Sequence, residues 1–215
     1  MRYLSNTFFL SLVLSLGLGC SSAHIRTRTE LIVEPTKQVL YGYGTSSGVI
    51  ITEEKEVVGY RYFMLTAAHC VGYKGSICDI VVDNLNLRGT VLKTDNTIDL
   101  ALVSIYSSED FCDPVNMVKE DLELFSKVRV VGYPAGIGPV SSIGEVSGLI
   151  NGEHAINAPI YFGNSGGPVF SEDNKLAGII TKVMTTENDV ICHMGIYVPI
   201  SVIRNFLIEF SKETS

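Results

Sequence analysis

Tryptophan is absent from the 215 residues, and no apolar run is long enough to cross a bilayer stably; the longest, Phe8 to Gly19, has twelve residues. Basic residues are in the minority, 16 Lys and Arg against 23 Asp and Glu, giving a net charge of −7 that repels a phosphate backbone. A nucleic-acid partner is therefore not expected. Charged residues make up only 18% and hydrophobic ones 46%, a composition able to bury a core and unlike that of a disordered tail. No internal repeat of 20–50 residues is visible, which excludes solenoids and propellers. What the chain does have is 20 glycines and apolar runs dominated by β-branched residues, a pattern of turns and strands rather than helical bundles.

The N-terminal run, preceded by Arg2, suits the core of a secretory signal peptide, so residues 1–19 are set apart from the fold. It leads into Leu18-Gly19-Cys20-Ser21-Ser22, which resembles a bacterial lipobox and implies lipidation of Cys20, although Gly17 stands where an aliphatic residue is usual. The expectation is an exported lipoprotein held at a membrane in the periplasm or at the cell surface, with residues 20–37 as a polar spacer. Ordinary cleavage after Ala23 would instead give a soluble secreted protein. Four further cysteines, Cys70, Cys78, Cys112 and Cys192, allow three pairings, of which Cys70 with Cys78 closes the shortest loop; the alternative is that one or more stay free and buried, packing as small hydrophobes. With His193 they lack the usual zinc-ligand spacing, so neither metal nor cofactor is expected.

From residue 38 onward short apolar runs alternate with Gly, Asn, Asp and Pro, as in an all-β sandwich or barrel. Examples are Gly48-Val49-Ile50-Ile51, Tyr62-Phe63-Met64-Leu65 and Leu176-Ala177-Gly178-Ile179-Ile180. The polar stretch Ser107-Ser108-Glu109-Asp110 divides two lobes, expected at 38–110 and 128–200 with 111–127 as linker. Residues 201–215 form a C-terminal helix and tail: Ser201 can cap the first turn, and Val202, Ile203, Phe206, Leu207 and Phe210 form one apolar stripe expected to pack on the second lobe.

Three segments carry chemistry together: Thr66-Ala67-Ala68-His69-Cys70, Thr97-Ile98-Asp99-Leu100, and Gly163-Asn164-Ser165-Gly166-Gly167-Pro168. Each alone is ordinary, since a histidine beside a strand is usually structural, an aspartate before one a turn residue, and a glycine-rich serine segment a loop. Their joint order is the point, with 30 residues from His69 to Asp99 and 66 from Asp99 to Ser165. A serine hydroxyl needs a base to take its proton, an imidazole can accept and return it, and a carboxylate on the far ring nitrogen fixes the tautomer. The oxyanion that forms needs preorganised N–H donors, assigned to Gly163 and Ser165.

On these segments the sequence resembles the trypsin-like serine proteases over most of residues 38–211. Gly132-Tyr133-Pro134-Ala135-Gly136 and Gly144-Glu145-Val146-Ser147-Gly148 place it nearest the bacterial HtrA-type and glutamyl-endopeptidase-like branches. The resemblance implies two antiparallel six-stranded β-barrels, His69 and Asp99 in the first and Ser165 in the second, and protein or peptide substrates. It implies a primary pocket near Pro159, Thr181, Lys182, Val183 and Gly195, with cleavage after small or medium aliphatic residues. The length leaves no room for the PDZ module usual in HtrA-type proteins, and Asn164 replaces the aspartate with which digestive relatives capture a new N-terminus. Two rivals remain. The Gly-Asn-Ser-Gly-Gly segment also fits an α/β-hydrolase elbow, but Gly166-Gly167-Pro168 starts a helix poorly and the triad order is wrong. A catalytically silent binding module on the same fold is the other. His24, His154 and His193 read as structural or exposed.

Overall fold

The structure is a computed structural model that describes residues 27–83, 85–185 and 189–214. The expected signal peptide, Cys20 and His24 lie outside the described residues. Twelve strands form two closed antiparallel barrels. The first contains β1 (Thr36–Tyr41), β2 (Gly44–Lys55), β3 (Tyr60–Thr66), β4 (Ile77–Val82), β5 (Leu85–Asp95) and β6 (Leu100–Ser107), in spatial order β1-β2-β3-β6-β5-β4. The second contains β7 (Lys127–Gly132), β8 (Val140–Ile150), β9 (Glu153–Ile156), β10 (Pro168–Ser171), β11 (Leu176–Thr185) and β12 (Val190–Pro199), in the order β10-β11-β12-β9-β8-β7. Helix α1 (Ile200–Glu213) follows β12 directly.

The strand patterns follow from three buried clusters. Along β4 only every second side chain is buried, Cys78, Ile80 and Val82, because its other face meets solvent. Strand β3 is instead apolar on both faces. Its Tyr62 and Met64 fill the first barrel, whereas Phe63 and Leu65 enter a seam shared with Val131, Phe170 and Ile179 of the second. The second barrel is filled by residues such as Val130, Ile156, Ile160 and Ile180. Each fully buried Leu, Ile or Phe contributes about 1.5–3 kcal/mol relative to exposure, so the seam is what fixes the two barrels against each other.

Four expectations need correction. Part of the stretch assigned as spacer belongs to the fold: Leu31-Ile32-Val33 is apolar, Thr29–Val33 winds into a single π-helical turn, and Ile32 is buried in the seam. Strand β1 then starts at Thr36, inside the presumed spacer. The helix packs on the seam and not on the second lobe alone; Ile203, Phe206, Leu207 and Phe210 join residues of both barrels, and Lys93 of β5 pairs with Glu213 at 2.7 Å. Ser201 lies within the helix and caps nothing. Its N–H and hydroxyl donate to the Asp121 carboxylate at 2.8 and 2.7 Å, so an anion from the interbarrel segment meets the positive end of the helix. The Cys70–Cys78 pairing is also absent: Cys70, Cys78 and Cys112 are free thiols.

Candidate active site

Pairing of β3 with β6 is what brings histidine and aspartate together. The two strands run antiparallel with Thr66 opposite Ala101 and Leu65 opposite Leu102, so the end of one lies beside the start of the other. His69 follows β3 on a short 3-10 turn, Ala68–Cys70, and Asp99 precedes β6 at φ 56, a left-handed position that aspartate tolerates. Ala68 N–H donates to Asp99 C=O at 3.2 Å, which joins the two turns through their backbones. The carboxylate then takes two bonds from one residue: Oδ1 accepts the His69 N–H at 3.0 Å, and Oδ2 lies 2.7 Å from His69 Nδ1. This pair holds the ring in place and leaves Nε2 as the nitrogen available to a substrate or nucleophile. The Asp99 hydrogen bond, with Cys70 acting in the same direction and burial opposing, pushes the His69 pKa up to about 10.

Ser165 lies on the turn between β9 and β10. Gly166 N–H donates to Ile180 C=O at 2.7 Å, Ile180 N–H to Gly167 C=O at 2.9 Å, and Gly167 N–H to Asn164 C=O at 2.8 Å. Gly166 adopts φ +82, and a Cβ there would come within 2.1 Å of Ser47 C=O and 2.2 Å of Thr66 Oγ1. Only glycine lets the serine turn approach the first barrel so closely. The Ser165 hydroxyl donates to Thr181 C=O at 3.5 Å, and Cys70 Sγ, one residue from His69, lies 3.9 Å from Ser165 C=O. No described hydrogen bond joins Ser165 Oγ to the His69 ring, a bond that in substrate-free enzymes often tightens only when substrate arrives.

Ahead of the serine, Phe162 C=O accepts the Ala135 N–H at 2.7 Å, and Gly163 C=O accepts the Ser47 hydroxyl at 2.7 Å. Because a trans peptide sets N–H opposite C=O, the first of these bonds turns the Gly163 N–H away from Ala135. Neither Gly163 N–H nor Ser165 N–H has an acceptor among the described residues. Gly163 sits at φ +101, where a Cβ would lie 2.3 Å from Tyr133 C=O and 2.9 Å from Ala135 N. Gly163→Ala is therefore expected to displace this donor and lower kcat by about 10²–10³ with a smaller change in KM, as loss of one oxyanion donor does. Steady-state kinetics on a peptide substrate check it.

The residues expected to form the primary pocket divide. Thr181 is buried behind Ser165, Lys182 is exposed, and Val183 pairs with Gly195 across β11 and β12. Pro159 does not form a floor: it is exposed, while its neighbours Ala158 and Ile160 are buried, since alternation along the extended chain turns 158 and 160 inward. Nor does Gly195 leave depth. A Cβ on it would meet Ile160 Cδ1 at 2.2 Å, so the isoleucine occupies that space. A cavity of about 590 Å³ lies along His69 and Asp99 and includes Thr97, Ile98, Glu153, His154, Thr181 and Lys182. Lys182 Nζ pairs with Glu153 Oε1 at 2.6 Å, and the half-buried His154 sets its ring edge-on to Tyr197. The role of Glu153 and His154 in this wall was not foreseen from sequence. They reach it only because β9 pairs with β12, His154 opposite Tyr197.

Two closed six-stranded barrels, with an aspartate–histidine pair on one and a glycine-bound serine turn on the other, make a chymotrypsin-like protease fold. The chain belongs to the family of the trypsin-like peptidase domain, whose model matches residues 44–179. It is similar to Protease Do-like 2, chloroplastic, of Arabidopsis thaliana, 31% identical over 165 residues that make up 69% of this chain and 26% of the relative. It is also similar to a Serine protease HtrA-like of Staphylococcus epidermidis, 28% identical over 78% of this chain and 31% of the relative. The chain thus spans about a quarter to a third of the length of these relatives. Among solved structures, the serine endoprotease from Yersinia pestis superposes with a TM-score of 0.70 at 18% identity, over 90% of this chain and 68% of that one. The inactive form of the M. tuberculosis Rv3671c protease gives 0.69 at 17% identity, over 90% and 99%.

Proposed function

We propose that the protein is a serine endopeptidase in which Ser165 is the nucleophile, His69 the general base and acid, and Asp99 the group that orients the ring. The observation that carries this reading is the double hydrogen bond from His69 to the Asp99 carboxylate, 3.0 Å to the backbone N–H and 2.7 Å to Nδ1. With Nδ1 committed to Asp99, Nε2 takes the Ser165 proton as Oγ adds to the scissile carbonyl. The oxyanion is met by the Gly163 and Ser165 N–H groups. Collapse breaks the C–N bond, His69 returns its proton to the departing amine, and an acyl-enzyme remains on Ser165. A water activated by the same ring then releases the acid and restores the serine.

Asn164 supports activity without a trypsin-like zymogen cleavage. It is buried and its Oδ1 has no partner among the described residues, and a neutral amide offers no charge to capture a new N-terminal ammonium. The export signal and the cysteine at its end support a lipid-anchored protease outside the cytoplasm.

For specificity, Ile160 against Gly195 and Val183 beside it favour small or medium aliphatic side chains before the scissile bond, and no carboxylate at 159 or 160 is present to hold Lys or Arg. Apolar pockets discriminate by about 1–3 kcal/mol per methylene, so the preference is graded. A peptide library should be cut after Ala, Val or Leu, and Val183→Gly should extend acceptance toward Phe. A profile dominated by Arg, Lys or Glu would overturn this reading of the pocket. Absence of any cleavage would favour the binding module.

A further inference from the structure

Ser47, in β2 of the first barrel, is fully buried and has every polar group engaged. Its N–H donates to Ser165 C=O at 2.8 Å, and its C=O accepts the Thr66 hydroxyl at 2.7 Å. Its own hydroxyl donates to Gly163 C=O at 2.7 Å and accepts the Tyr133 N–H at 2.9 Å. Three of the four bonds cross to the second barrel, and they reach both residues whose N–H groups are left without acceptors. The second-barrel segment they hold is the same one that supplies Ala135 N–H to Phe162 C=O. One hydroxyl therefore clamps the peptide after Gly163 and, through Tyr133, the loop that orients the peptide before it. A Cβ on Gly132 would lie 2.9 Å from Ser47 Oγ, so the approach that makes these bonds also leaves no room for a side chain there.

We infer that Ser47 is a positioning residue for the reaction: its hydroxyl holds the Gly163 turn so that the Gly163 and Ser165 N–H groups converge on the developing oxyanion. This rests on the serine endopeptidase reading above. Ser47 touches neither substrate nor reacting atom. Its effect is on the geometry of donors whose alignment matters only as negative charge grows on the carbonyl oxygen, so it acts on the transition state and on tetrahedral adducts more than on bound substrate.

The neighbouring Ser46 provides the comparison. It too is buried, in the same strand, but its hydroxyl donates at 3.3 Å to Val39 C=O within the first barrel, with no link to the serine turn. Ser47→Ala, Ser47→Cys and Ser46→Ala are compared with the full chain for kcat and KM on one peptide substrate. The same proteins are titrated with a peptide boronate, which forms a tetrahedral adduct on serine, and with the product peptide, which does not. Ser47→Ala is expected to lower kcat and boronate affinity together by about 10²-fold, the loss typical of a misplaced catalytic group, while KM and product affinity change by about twofold or less. Ser47→Cys, which keeps a weak donor of similar size, should fall between wild type and Ser47→Ala. Ser46→Ala should keep the wild-type kcat. If Ser47→Ala does not fold, the cysteine variant carries the test on the same kcat and boronate readouts.

Equal kcat in wild type and a folded Ser47 variant, or a parallel fall in boronate and product affinity, would overturn the positioning role and leave the endopeptidase reading standing. A wild-type protein that neither cleaves peptide nor takes the boronate would overturn both.

Discussion

Ser165→Ala is expected to lower kcat by about 10⁶, and His69→Ala by a similar factor, because nucleophile and base act as one unit and either loss removes the covalent route. The two variants should fold as wild type does. The Ser165 hydroxyl makes a single 3.5 Å bond to Thr181 C=O, and the His69 side chain is half exposed, so neither replacement opens the core. Double replacement should cost little more than either single change. Hydrolysis of a fluorogenic peptide at matched protein concentration, with thermal unfolding recorded alongside, checks the prediction. A Ser165→Ala protein that retained more than about a hundredth of the wild-type kcat would place the chemistry elsewhere, since what survives loss of a triad member is far smaller.

Asp99→Asn is expected to lower kcat by about 10⁴ at neutral pH, the loss typical when an amide replaces the triad carboxylate and selects the wrong imidazole tautomer. The pH dependence adds a second reading of the same contact. Asp99 and Cys70 push the His69 pKa up to about 10, and the base works only when unprotonated, so kcat/KM should rise through the alkaline range. In Asp99→Asn the inflection should fall back toward about 6.5, the ordinary value for histidine. Stability runs the other way. A histidine pKa raised by folding contributes stability that is fully present below about 6.5 and is lost as pH rises through the folded value, so Tm should decline over that window. The decline should flatten in Asp99→Asn. A wild-type profile with its inflection below that of Asp99→Asn would contradict the assigned role of the carboxylate.

The sequence showed the three chemical segments and their order because each is short and local. A histidine at a strand end, an aspartate before an apolar strand and a glycine-bound serine are visible without knowing what pairs with what. Two-lobe organisation was equally legible, since turn residues punctuate short β-branched runs. What failed depended on long-range neighbours. Leu31-Ile32-Val33 reads as part of a spacer because nothing local says that a seam drawn from both barrels and the C-terminal helix, from Val49 to Phe210, will cover Ile32. Ser201 matched a capping residue by type, yet Asp121 from the interbarrel segment took that place. Counting from Ser165 points to Pro159, whereas the alternation of the chain leaves Pro159 exposed and buries Ile160 against Gly195. Ser47 gave no signal at all, as a serine in an ordinary strand. Its meaning comes from the opposing barrel, which presents Gly163 C=O and Tyr133 N–H to one hydroxyl.

Labelling with a fluorophosphonate tests the central claim most directly, because only a serine whose base and oxyanion donors are assembled reacts rapidly with it. Intact mass spectrometry followed by peptide mapping should find one adduct per chain, on Ser165, forming faster as pH rises and absent in His69→Ala. No adduct on the folded wild-type protein, or an adduct on another serine that survives His69→Ala, would contradict the account.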